Sequence, residues 1–196
     1  MLYFSLAPFV VPVISSMNLI ISESKMDHSS RLESIFKDGN DLENLEVVNE
    51  KEIVMPTYGT HYARLEIKSA SVSTDLYFGD SSAVLKKGVG QYIGSFIPGC
   101  GRPLLVGGHN NSAFNSLQFV KKGDIVTITT NYGIYKYKIT STRITDHKDK
   151  SAYDLSLQKE QLILYTCYPF DTLGLTSKRF FVYGDKISGP AIVSDN

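Results

Sequence analysis

Asp124-Ile125-Val126-Thr127-Ile128-Thr129, then Asn131-Tyr132-Gly133, then Ile134-Tyr135-Lys136-Tyr137-Lys138-Ile139-Thr140 reads as one β-hairpin, and it sets the class of the whole chain. Side chains on a strand alternate between faces, and β-branched and aromatic residues fit a pleated surface. Both arms are rich in such residues, and the second alternates with a clear period of two. The Asn-Tyr-Gly between them supplies the turn. Working outward, Arg64-Leu65-Glu66-Ile67 alternates in the same way, and Asp75-Leu76-Tyr77-Phe78 does so more loosely. Leu104-Leu105-Val106 is a short apolar strand, and residues 161–166 and 179–183 add two more. Two short helical stretches, residues 81–87 and 112–119, interrupt a set of about eight strands. Many short strands, closely spaced turns and little helix predict an all-β, closed or nearly closed barrel, with a β-sandwich as the alternative.

Composition bounds what such a domain does. At 196 residues there is room for one domain with appendages, and 42% apolar content with twelve Tyr and ten Phe is enough for a sizeable core. The formal charge sums to zero, but residues 23–52 hold nine acids against four Lys or Arg, a net of −5. The remainder carries +5, without an arginine-rich stripe or interleaved basic and aromatic residues. No nucleic-acid partner is expected.

Residues 2–22 contain no charged side chain. At 1.5 Å per residue such a helix is about 31 Å long, the thickness of a bilayer core. A transmembrane signal anchor over residues 1–22 is expected, with a cleaved secretory signal as the alternative. Residues 23–56 then read as an acidic spacer, 57–190 as the folded domain and 191–196 as a tail.

Chemistry has few candidates, because the chain holds two cysteines and only four histidines. Leu162-Ile163-Leu164-Tyr165-Thr166-Cys167-Tyr168-Pro169 is an apolar strand that stops at a cysteine and a proline. Cys167 is either a small core residue or a nucleophile shown at a strand's end. His109 follows two glycines in Gly107-Gly108-His109-Asn110-Asn111, which permit close approach by other backbone or by a substrate. Arg179 opens the last strand, and a loop returning antiparallel from Cys167 would bring its guanidinium back to the sulfur. Such a Cys, His and Arg set suits acyl transfer through a thioester. No acid is evidently placed to orient the histidine. Cys100, in Pro98-Gly99-Cys100-Gly101-Arg102, reads as incidental, although a Cys100–Cys167 disulfide is an alternative in an oxidising setting. Neither CxxC nor HxxxH spacing occurs and no phosphate-cradling loop is present, so no metal or other cofactor is expected.

The ordered set Leu85-Lys86-Lys87-Gly88-Val89-Gly90, Ile97-Pro98-Gly99, Val106-Gly107-Gly108-His109, Leu164-Tyr165-Thr166-Cys167-Tyr168-Pro169 and Arg179 resembles the sortases over residues 57–190. The Thr-Cys-Tyr-Pro-Phe run looks most like class D. These are membrane-anchored cysteine transpeptidases of Gram-positive bacteria. The resemblance implies an eight-stranded barrel with its groove at the rim, behind an uncleaved anchor, facing outward from the cell membrane. It implies Cys167 as nucleophile, His109 as proton donor to the leaving amine and Arg179 as the group that steadies the oxyanion. It implies Thr166, Tyr168, Asn110 and Asn111 as substrate contacts. The implied partners are surface proteins with an LPXTG-like signal, cut between Thr and Gly, and an amine on a cell-wall precursor. Asn110 departs from the arginine that commonly follows the histidine in the family. A cysteine peptidase that hydrolyses the same thioester, and a non-catalytic barrel that binds the wall, are the alternatives.

Overall fold

The computed structural model describes residues 45–170, 172 and 176–194. The expected membrane anchor and most of the expected spacer lie outside the described residues. No helix among the described residues is long and apolar enough to cross a membrane.

β1 (Val47–Asn49) lies just before the barrel. The barrel strands follow as β2 (His61–Ile67), β3 (Val72–Phe78), β4 (Val89–Gln91) and β5 (Leu104–Gly107), then β6 (Ile125–Thr130), β7 (Ile134–Asp146), β8 (Gln161–Tyr168) and β9 (Lys178–Ser188). They close in the order β2-β3-β4-β5-β8-β9-β7-β6. The alternation of residues 124–140 works as expected. Val126, Ile128 and Thr130 of β6 are buried, and so are Tyr135 and Tyr137 of β7. The pairs β3–β4 and β5–β8 are parallel, so each requires a crossover. The first crossover carries a single helical turn, α1 (Ser82–Leu85), within the stretch expected to be helical. The second expected helix is a 3-10 turn at Asn115–Phe119.

Three strands escaped the sequence reading. β4 carries a glycine at its centre, pairs it with another in β5, and is buried throughout, so it shows no alternation. β1 and β10 (Ala191–Val193) pair in parallel, and they lie in the expected spacer and tail. Val48 enters the core, and the Ile192 amide donates to the Gly99 carbonyl at 2.9 Å. These residues therefore clasp the barrel.

The clasp meets β8 at its starting end. Glu160, buried just before β8, accepts from the Gly99 and Gly101 amides at 3.1 and 3.2 Å and from the Tyr137 hydroxyl at 2.6 Å. Lys186 Nζ stands 3.3 Å from its other oxygen. A buried carboxylate is tolerable only when paired and hydrogen-bonded in this way. It fixes the loop that carries Cys100 at one end of β8, while Cys167 stands at the other. Both cysteines are free thiols. The disulfide alternative is therefore excluded, since the strand itself separates the two sulfurs.

Candidate active site

β8 has two faces with different neighbours. Leu162, Leu164 and the buried Thr166 point into the barrel, whereas Ile163 joins Leu105, Ala152 and Phe181 in a smaller cluster outside it, with Tyr165 packed against them. Cys167 follows Ile163 and Tyr165 by the same alternation, so its thiol belongs to the outer face. Pro169, joined to Tyr168 by a cis peptide bond, has no amide hydrogen to continue the ladder. Cys167 is half-buried at the strand's end, between the two alternatives that the sequence left open.

β9 pairs antiparallel with β8 and sets Arg179 directly opposite Cys167. Residues directly opposite share a face, so the guanidinium is on the outer side beside the sulfur. Its Nη1 donates to the Thr176 and Lys178 carbonyls at 2.7 and 2.9 Å. That holds one prong of the fork in place. On the other flank, β5 runs parallel to β8 with Gly107 beside Tyr165. The ladder continues one step further, because the Gly108 amide donates to the Tyr165 carbonyl at 3.1 Å and Thr166 Oγ1 donates to the Gly108 carbonyl at 2.7 Å. Continuing that register by one more residue would set His109 beside Cys167. Neighbouring strands are about 4.8 Å apart. Thiol and guanidinium thus belong to opposed residues at the ends of β8 and β9, and His109 follows β5 on the other flank of β8.

Both glycines before the histidine are required by aromatic rings. A Cβ on Gly107 would lie 2.7 Å from the Tyr165 ring, and one on Gly108 would lie 2.6 Å from the Phe114 ring. Tyr165 stacks on Phe181, centroids 5.9 Å apart and planes at 25°. Burial, and next the Asp80 carboxylate, pushes its hydroxyl up to about 12, against a smaller opposing pull from Arg179. The face that Tyr165 shares with Cys167 therefore carries a neutral phenol, with an acid and a base in electrostatic reach. Tyr165 was missed in the sequence, although the signal was present: a residue two before Cys167 in the same strand shares its face.

The four expected substrate contacts divide evenly. Thr166 is 1% exposed and faces the barrel interior, and Asn110 is 6% exposed with its amide donated within the protein. Neither side chain is open to a peptide in the groove, because each is spent on joining the histidine and cysteine segments. Asn111 is exposed, and Tyr168 is half-buried with its ring edge-on to Phe170. No group of three or more His, Cys, Asp or Glu side chains among the described residues is arranged to hold a metal.

Residues 65–187, well over half of the chain, match the family described as the Sortase domain. The chain belongs to the sortases. It is 34% identical over 133 residues to Sortase D of Bacillus subtilis (strain 168), covering 68% of this chain and 67% of that protein. It is 27% identical over 124 residues to Sortase A of Listeria monocytogenes, covering 62% of this chain and 54% of the relative. The fold matches a Clostridium perfringens Sortase D5 transpeptidase at a TM-score of 0.62, with 22% identity over 71% of this chain and 86% of that one. It also matches the SrtF sortase of Corynebacterium diphtheriae at 0.63, with 18% identity over 73% and 92% of the two chains. This sortase is most like class D, and its activity is that of a cysteine transpeptidase. Sortases act at the cell wall, in association with the membrane, on surface proteins with LPXTG-type signals.

Proposed function

We propose that Cys167 is the nucleophile of this transpeptidase. It attacks the threonine carbonyl of an LPXTG-like signal and holds the surface protein as a thioester. His109 delivers a proton to the amine leaving with glycine, then accepts one from the incoming amine of a cell-wall precursor. Arg179 steadies the oxyanion of each tetrahedral intermediate, which needs donors set in place before the charge develops. The observation that supports this reading is that β9 sets Arg179 directly opposite Cys167, while β5, which runs beside β8, ends two residues before His109. Residues 57–190 form the catalytic domain on this reading. Residues 1–22 anchor it as a single membrane span, with the acidic residues that precede β1 as the spacer and the domain outside the cell. The support for the anchor is the uncharged stretch over residues 2–22. Exposed Asn111 and half-buried Tyr168 are the contacts offered to the signal peptide.

The test is turnover of an LPXTG-type peptide with triglycine as acceptor. Cys167→Ala is expected to give no thioester by intact mass. His109→Ala should lose roughly 1,000-fold or more, and Arg179→Lys roughly 100-fold, since an ammonium lacks the planar fork. Cys100→Ala should be nearly silent. A Cys100→Ala variant as impaired as Cys167→Ala would overturn the assignment, and hydrolysed peptide as the sole product would favour a peptidase.

A further inference from the structure

Asn110 is the residue by which the histidine loop grips the cysteine loop. Its Nδ2 donates to the Pro169 carbonyl at 2.9 Å and to the Thr172 carbonyl at 3.4 Å. An amide nitrogen carries two hydrogens, so both are used. Its own backbone carbonyl is held in turn by Asn115 Nδ2 at 2.9 Å. The two accepting carbonyls lie past the last β8–β9 pair, Tyr168 with Lys178, where the ladder no longer fixes the chain. One residue before the cysteine, Thr166 Oγ1 makes the matching link to the Gly108 carbonyl at 2.7 Å. His109 and Cys167 are thus bracketed on both sides. Thr166 to Gly108 closes the bracket from the barrel interior, and Asn110 to Pro169 closes it from the open rim.

We infer that Asn110 is a positioning residue, which fixes His109 against Cys167 by tying the segment after the histidine to the segment after the cysteine. The inference rests on the reading that these two side chains act together. Its physical basis is the asymmetry of the site. Before the cysteine, two strand ladders and a buried threonine hold the backbone. After it, proline has ended the ladder, and Asn110 links the two loops through both hydrogens of its side-chain amide. The Asn110 amide is buried, so these bonds form out of water and leave unsatisfied carbonyls if removed. A small displacement of a reacting pair costs rate far out of proportion to the stability it costs.

The experiment compares Asn110→Ala and Asn110→Asp with the unaltered protein, all in a Cys100→Ala background. It measures kcat and KM for an LPXTG-type peptide with triglycine, and the rate at which iodoacetamide alkylates Cys167. The alanine variant is expected to lose roughly 10-fold or more in kcat, with KM for the peptide almost unchanged. The aspartate variant keeps the shape but turns an acceptor toward two carbonyl oxygens, so it should lose more. Alkylation should slow in step with kcat, because the thiol loses its fixed neighbour. A rise in KM at unchanged kcat would mean that Asn110 contacts substrate, and overturns the inference. Lower melting temperature with unchanged kcat and alkylation means that Asn110 only fills space, and overturns it too. Should neither variant fold by near-ultraviolet circular dichroism, Asn115→Ala loosens the same bracket from its backbone side. It should then lower kcat severalfold without raising KM, and an unchanged kcat overturns the inference. Persisting turnover in Cys167→Ala would remove the reading of the site itself, and the bracket with it. Loss of turnover there with normal Asn110 variants removes the bracket alone.

Discussion

Gly107 and Tyr165 behave as one unit, because the ring lies where a side chain on residue 107 would be. A Cβ there would meet the ring carbon Cζ and the hydroxyl at 2.7 Å. The ring cannot simply swing aside, since it is stacked on Phe181, which is itself stacked on Tyr183 with centroids 6.2 Å apart. Gly107→Ala is therefore expected to cost about 1–3 kcal/mol by overpacking, and to lower activity as the face that Tyr165 shares with Cys167 shifts. Tyr165→Leu opens the space, so the double variant should melt higher than Gly107→Ala alone. Chemical denaturation of the two single variants and the double variant measures the coupling. Strict additivity of the two changes would show that ring and glycine do not compete for one volume. The ordinary reading of a glycine pair beside a histidine is room for substrate. At this site the room is taken by Tyr165 from the outer face and Phe114 from the inner one.

At the scale of elements, the clasp of β1 and β10 stabilises the barrel at the end away from the chemistry. β8 has eight residues, so the loop held by Glu160 and Ile192 is roughly 20 Å from the thiol. Val48→Ala, which empties part of the core cluster, is expected to cost about 1–3 kcal/mol. Deleting residues 191–196 should lower the melting temperature further, and kcat at a temperature where the protein stays folded should be unchanged. Calorimetry and peptide turnover on the same samples check this, and a kcat falling in parallel would place the clasp in the catalytic apparatus. The same elements explain what could be read from sequence. Strands such as β6 and β7 were legible because one face is wet and the other dry, which writes a period of two into the residues. β4, buried on both faces, and the three-residue β1 and β10 leave no such mark. At the site, Cys167 and Arg179 were legible because a single loop joins their strands. The segment that carries His109 is tied to β8 through Gly108 and Thr166, 58 residues apart, and nothing local records that link. Thr166 and Asn110 were expected as substrate contacts from the sortase resemblance, which does not record what each side chain touches. Their burial follows from partners far along the chain.

The whole barrel encloses an unusual amount of phenol. Tyr62, Tyr132, Tyr135 and Tyr137 are all buried, and in each case burial is the first cause that raises the hydroxyl above its ordinary 10.0. The Glu160 carboxylate adds to the rise for Tyr132, Tyr135 and Tyr137. In the unfolded chain these groups ionise near the ordinary value, so below it both states are neutral and their contribution to stability is fully present. Above it the unfolded state gives up protons that the folded state retains, and stability falls as pH rises. Denaturant titrations are expected to give a midpoint that holds steady up to about pH 10 and then drops, steeply because several groups act together. Tyrosinate absorbance should rise in two stages. The later stage belongs to the buried set, which ionises only as the barrel opens and circular dichroism is lost. A single smooth titration of all twelve tyrosines with the fold intact would mean that solvent already reaches the barrel interior. The second stage would then be absent, and Glu160 would have to be sharing that interior with water rather than with Tyr137 and Lys186.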